Sequence, residues 1–217
     1  METLYLIGGS PRSGKTKIFN EVIKRKPMIA VSSDALREAA RDTLLEENFV
    51  TIQKLSFGGE ATFHRAGDSA DISHTKKFSY EINQEELTWN SIKGLITYYD
   101  RKGGPSLIIE GMVITPERVK SLSLKHLTLR VVFIGFTDEE SIEKILEYSN
   151  TNHDWIYKKI SQEDGGDDSK VKEWLKNEIV KNKKLASWAE EYGYKFFSSH
   201  EKVFEEFQDE VVTFLFE

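Results

Sequence analysis

Five short apolar runs punctuate the chain, at 4–7, 28–31, 107–109, 129–134 and, more weakly, 194–197. The first four lack the polar alternation of a strand with one wet face, so they read as strands covered on both faces by helices. Helical patterns lie between them. One follows Gly14 to about residue 25, and one opens with Ser33-Asp34 as a cap and runs to about 46. One covers about 84–101 and stops at Gly103-Gly104-Pro105; others start near Pro116 after Thr115 and after Thr137-Asp138. A long one spans about 169–192 before Gly193, and a last one covers 201–214. Strands alternating with helices predict an α/β fold with a parallel sheet.

The stretch 51–80 breaks this rhythm. Residues 53–57, the pair Gly58-Gly59 and residues 60–64 read as two short strands around a glycine turn. With the helix at 84–101 they form an insertion at about 51–104, between the second and third core strands. The 217 residues then make a single domain with one insertion. Trp89, on the insertion helix, is expected in the core, and Phe57, Phe63, Phe78 and Tyr80 in a small satellite core.

Composition narrows the classes. Lysine and arginine total 30 against 36 acids, a net charge of −6, which disfavours a general nucleic-acid coat protein. The absence of cysteine excludes disulfide frameworks, cysteine-ligated zinc and thiol nucleophiles. No apolar run reaches the ~20 residues of a membrane span, and the first residues show no basic leader. A cytoplasmic protein without a membrane partner is expected.

The sharpest chemical signal is Gly9-Ser10-Pro11-Arg12-Ser13-Gly14-Lys15-Thr16, an ungapped G-x-x-x-x-G-K-[ST] phosphate loop. It follows an apolar run and precedes a helical pattern, as its mechanism requires. Glycines let successive N–H groups turn inward as a nest for phosphate oxygens, and the helix that follows adds its positive end. Lys15 is expected on the β- and γ-phosphates, and the Thr16 hydroxyl on Mg²⁺. The loop predicts a nucleoside triphosphate, with ATP and Mg²⁺ as the expected ligands. No Asn-Lys-x-Asp base-reading motif of switch GTPases is present, and the chain is short for a motor. A small-molecule kinase leads. A kinase of nucleotides or nucleic-acid 5′-hydroxyls and a regulatory ATPase remain as alternatives.

Two acids stand at the carboxyl ends of core strands, where open α/β sheets bind ligands. Asp34 follows the second strand, and Arg37 lies one helical turn further on. A carboxylate there can accept the proton of an attacking hydroxyl, and an arginine beside it can grip a phosphate or carboxylate at two points. Asp34 can equally serve as a helix cap. Glu110 ends the third strand, where phosphate-loop proteins place a magnesium-linked acid, usually Asp; Gly111 next to it allows a close backbone approach to a ligand.

The phosphate loop, Ser32-Ser33-Asp34-Ala35-Leu36-Arg37 and Leu107-Ile108-Ile109-Glu110-Gly111 resemble the P-loop kinases of small substrates. Val31 to Glu38 together with Ile108 to Gly111 is most similar to the 2-phosphoglycerate kinase-like proteins. The Asp34/Arg37 pair is also similar to polynucleotide kinase and the zeta-toxin kinases. The resemblance covers about the first two thirds of the chain. It implies a three-layer P-loop NTPase fold with a five-stranded parallel sheet of order 2-3-1-4-5 and an inserted substrate-covering subdomain. It further implies ATP as donor, Mg²⁺, Asp34 as hydroxyl-activating base, and Arg37 as substrate anchor. His64 and Arg65, in the insertion, are candidates to bind an anionic or polar acceptor.

Kinases of this group close an arginine-bearing lid after the fourth strand. The corresponding region, about 150–169, departs from that pattern, because no arginine follows Arg130. Lys158 and Lys159, or Arg12 of the phosphate loop, are left to neutralise the phosphates. His153-Asp154 is a weak candidate for a metal or proton-transfer pair. The acidic stretch 163–168 lacks calcium-loop spacing and reads as a solvated mobile segment. The lysines of 170–184 alternate with acids, as on a solvated helix face.

Overall fold

The computed structural model describes residues 2–43, 74–201 and 203–217, with side chains for 2–38, 85–201 and 203–217. Five strands, β1 (Thr3–Gly9), β2 (Ile29–Ser32), β3 (Leu107–Gly111), β4 (Thr128–Gly135) and β5 (Lys195–Ser198), form one parallel sheet in the order β2-β3-β1-β4-β5. The helices are α1 (Lys15–Arg25), α2 (Ser33–Thr43), α3 (His74–Lys102), α4 (Pro116–Lys120), α5 (Glu140–Asn152), α6 (Trp155–Lys158), α7 (Ser169–Glu191) and α8 (Phe204–Phe216). A π-helical turn, Lys159–Glu163, follows α6. All five expected core strands form. The insertion helix begins ten residues earlier than its pattern indicated, and α6 with its π turn was not anticipated. The hairpin at 53–64, with His64 and Arg65, lies outside the described residues, as do the side chains of Phe78 and Tyr80.

The sheet is covered on both faces because its strand residues alternate between two cores. Leu4, Leu6, Leu107, Ile109 and Phe133 face one layer, with Trp89, Ile92 and Ile96 of α3, Val119 of α4 and Ala189 of α7. Tyr5, Ile7, Ile108, Val132 and Ile134 face the other, with Ile18 and Val22 of α1 and Phe207, Val211 and Leu215 of α8. Trp89 is buried in the first core, as expected. The second strand departs from expectation. β2 is at the sheet edge, so its residues are only half-buried and Ala30 is exposed.

A third cluster matters for the site. Phe136, Ile142, Ile145 and Leu146 pack with Ile156 of α6 and with Val171, Leu175 and Ile179 of α7. It fixes the α5–α6 segment beside the carboxyl end of β4. Past this segment, the acidic stretch is a hydrogen-bonded turn. Gly165 and Gly166 take left-handed backbone, Lys170 pairs with Asp164 at 2.7 Å, and Asp167 Oδ1 accepts from the Ser169 N–H at 2.9 Å. The lysines that follow line an exposed face: Lys181 is 70% exposed and pairs with Glu178.

Candidate active site

The phosphate loop joins β1 directly to α1. Gly14, at the N-terminus of α1, has φ 90° and no side-chain cap. A Cβ there would also meet the Phe204 ring at 2.7 Å, so glycine is required both by the backbone and by packing. Ser13 Oγ donates to the Ser10 carbonyl at 2.8 Å, and Lys15 Nζ donates to the same oxygen at 2.5 Å. Ser10 Oγ is buried without a hydrogen-bond partner. A buried hydroxyl in that condition is costly unless something accepts from it, and a phosphate oxygen would.

Burial pulls the Lys15 ammonium down to about 8, against the opposing fields of Glu110, Asp34 and Glu178. It remains cationic at neutral pH, and Lys15 stands between two unlike flanks. On one, a cavity of about 340 Å³ is lined by Arg12, Lys15, Lys17 and Lys144, the rings of Tyr148 and Phe204, and His200. No Asp or Glu contributes to its wall, although the chain as a whole carries −6. Lys17 Nζ lies 4.6 Å from the Tyr148 ring centre and 4.7 Å from that of Phe204, so two aromatic faces flank the cavity. Burial lowers the pKa of His200, and its Nε2 is 3.4 Å from the Arg12 carbonyl oxygen.

The other flank carries the acids. Parallel register places Ser32 and Ile7 beside Glu110, so that carboxylate stands next to the strand that opens the phosphate loop. Glu110 is buried, and burial raises its pKa against the pull of Lys15 and a hydrogen bond from Ser32. Asp34 is in the first turn of α2 and two-thirds exposed; its Oδ1 is 3.2 Å from Arg37 Nη2. The cap is one step earlier than expected: the Asp34 N–H donates to Ser32 Oγ at 3.2 Å, so Ser32 caps α2 and the Asp34 carboxylate is left for other work. Gly111 also has a packing role within the chain. A Cβ there would fall 1.9 Å from Ser33 Oγ, so the glycine admits the start of α2.

Lys15, Asp34, Arg37 and Glu110 are therefore brought to one end of the sheet, together with the exposed Thr16 at the mouth of the loop. Thr16 and Glu110 offer only oxygen donors, which suits Mg²⁺. Among the described residues no three His, Cys, Asp or Glu side chains converge on a point. Such an ion would accordingly take most of its ligands from phosphates and water, as Mg²⁺ commonly does.

The lid expectations resolve differently. Neither Lys158 nor Lys159 lines the cavity, and Lys159 pairs with Glu163 at 3.0 Å. His153, with φ 47°, stacks on Tyr157 at 4.5 Å, while Asp154 caps α6 and forms an ion pair with Arg12. Sequence reasoning did not find Tyr148, Lys144, His200 or Phe204; they carry no motif and meet only through the fold. Glu178, buried on α7 and within electrostatic reach of Lys15, was missed for the same reason.

No family model matches the chain, and no curated protein matches it. Solved structures share its fold over nearly the whole length. Dephospho-CoA kinase from Campylobacter jejuni superposes with a TM-score of 0.51 at 14% identity, covering 98% of this chain and 95% of its own. Shikimate kinase from Bacteroides thetaiotaomicron gives 0.52 at 14% identity, covering 97% and 94%. The five-stranded parallel sheet of order 2-3-1-4-5 is thus the fold of these two structures.

Proposed function

We propose that the protein is a Mg·ATP-dependent phosphotransferase that moves the γ-phosphoryl group to a hydroxyl of a small, anionic metabolite. One observation carries the reading: a phosphate loop whose buried lysine separates an acid-free cationic cavity from a pair of strand-end carboxylates. A triphosphate suits the first flank and a hydroxyl acceptor the second. That both fold relatives are kinases by name supports the same class.

The loop N–H groups and Lys15 bind the β- and γ-phosphates and stabilise the charge that spreads over the transferred group. Tyr148 and Phe204 flank the base. Thr16 and Glu110 would hold Mg²⁺, which would supply neutralisation of the phosphate charge. Asp34 accepts the acceptor's proton as its oxygen bonds to the γ-phosphorus and the bond to the β-phosphate oxygen breaks, releasing ADP. Arg37 aims Asp34 and gives the acceptor's anionic group a bidentate partner. His64 and Arg65 are assigned to the acceptor because, in the P-loop kinases of small substrates that the chain resembles, the insertion after the second strand covers the acceptor. The compartment proposed is the cytoplasm; among the described residues no helix is long and apolar enough to cross a membrane.

The test is to incubate wild type and Asp34→Asn with Mg·ATP and a metabolite extract, and to look by mass spectrometry for new phosphorylated species. A product formed only by wild type is expected. ATP bound or slowly hydrolysed with no product would instead establish the regulatory ATPase.

A further inference from the structure

Three non-glycine residues among those described have left-handed backbone: Arg12 (φ 67°), His153 (φ 47°) and His200 (φ 74°). Two of them, Arg12 and His200, are in contact at the cavity, and the third, His153, adjoins Asp154, the ion-pair partner of Arg12. Such backbone is unfavourable for residues with a Cβ and persists where the surroundings enforce it, most often at functional sites. Glycine would satisfy position 12 without strain. The presence of arginine is accounted for by its side chain.

That side chain is held on every side. The Arg12 Nη2 donates to Ser149 Oγ at 2.8 Å and pairs with Asp154. The guanidinium carbon lies 5.9 Å from the Tyr148 ring centre and 5.5 Å from that of Trp155. Asp154 is itself fixed, because its Oδ1 accepts from the Ile156 and Tyr157 N–H groups at 2.9 and 3.3 Å. Ile156 then anchors the segment in the third core. A guanidinium carries five donors in a rigid plane. The contacts to Ser149 and Asp154 both use Nη2, and the residue lines the cavity.

We infer that Asp154 is a positioning residue for the nucleotide's phosphates: it holds the Arg12 guanidinium at the cavity wall, so the α5–α6 segment aims a cation supplied by the phosphate loop itself. The inference rests on the nucleotide reading above and extends it. Contact between loop and covering segment runs from a loop arginine to a segment aspartate, in a chain with no arginine after Arg130. Holding the side chain in advance spares the loss of rotamer freedom that a mobile arginine suffers on binding.

Asp154→Asn isolates the charge, because asparagine caps a helix as well as aspartate does. Arg12→Gly suits the backbone and removes the cation. Arg12→Lys keeps the charge but loses the fork. Calorimetry with Mg·ATP and with tripolyphosphate gives Kd for wild type, these variants and the Arg12→Gly/Asp154→Asn double variant, alongside Tm.

Arg12→Gly is expected to weaken both ligands at least tenfold, Arg12→Lys nearly as much, and Asp154→Asn three- to tenfold. Asp154→Asn is expected to add nothing in the Arg12→Gly background. Variants that shift Tm while both Kd values stay within twofold would show a merely structural ion pair and overturn the inference. Full additivity would overturn it too, as would tighter binding by Asp154→Asn, since the carboxylate would then compete with phosphate. A wild type that binds tripolyphosphate but not Mg·ATP, with the same variant pattern, would keep the inference and remove the kinase reading. Binding of neither ligand would overturn both.

Discussion

The two flanks of Lys15 are built on opposite principles. The cavity flank gathers four cations and excludes acids, and its members come from the phosphate loop, α1, α5, the segment after β5 and the start of α8. The acid flank places Glu110 at the end of β3 and Asp34 in the first turn of α2, just past Ser32, the register partner of Glu110. Under the proposed function, a donor-binding wall must attract a polyanion to a protein of net charge −6, so it needs cations from many elements. An acceptor wall needs one or two correctly placed carboxylates, which strand ends supply. Lys15 feels both, and its lowered pKa records burial outweighing the nearby acids.

The strongest way to break the comparison is to remove its pivot. Lys15→Met is expected to cut turnover by about 10³-fold or more and to weaken Mg·ATP by at least tenfold, read by coupled assay and calorimetry. Asp34→Asn sharpens it from the acid side. Turnover is expected to fall about 10²–10⁴-fold while the Kd for Mg·ATP stays within about twofold. A matching loss of ATP affinity would place Asp34 on the donor side instead.

Stability should respond to Lys15 in the opposite direction. Its folded-state pKa, about 8, is below the unfolded value near 10.5, so between those values the unfolded chain binds more protons and stability rises with pH. The gain, roughly 2–3 kcal/mol across that window, is expected in wild type and absent in Lys15→Met when Tm is followed from pH 7 to 10.5. Nucleotide affinity should fall over the same range as the free ammonium is lost.

A smaller effect tests the distant scaffold. Asp100, buried at the end of α3, accepts hydrogen bonds from the Lys125, His126 and Leu127 N–H groups. Asp100→Ala should cost about 2–3 kcal/mol of stability, seen in urea unfolding, because buried N–H groups lose their acceptor. Mg·ATP affinity should be unchanged. The smallest expected change is at the cavity walls, where Phe204→Ala and Tyr148→Ala should each weaken Mg·ATP about three- to tenfold, as loss of an aromatic contact of about 1 kcal/mol implies.

How much could be read in advance depended on how local each feature is. The place of the phosphate-loop motif between β1 and α1 was legible, since its eight residues are contiguous. The five strands were legible from apolar runs, and α4 from Thr115 and Pro116, whose cap the structure reproduces. The covering of β2 was misjudged because an edge position has no signature within the strand itself. Helix α6 was missed because four residues give no periodicity. Its start depends on the Asp154 side chain accepting two N–H groups.

By itself the sequence determined the five core strands, most of the helices, the phosphate-loop motif and the identities of the acids at the strand ends, because each of these is set by neighbours within a few residues. The tertiary structure alone decided the rest. It chose which lysines face the cavity, aimed Arg12 at an aspartate 142 residues away, and brought His200 against the loop. Those contacts depend on how helices pack across a sheet, and no local pattern encodes that packing.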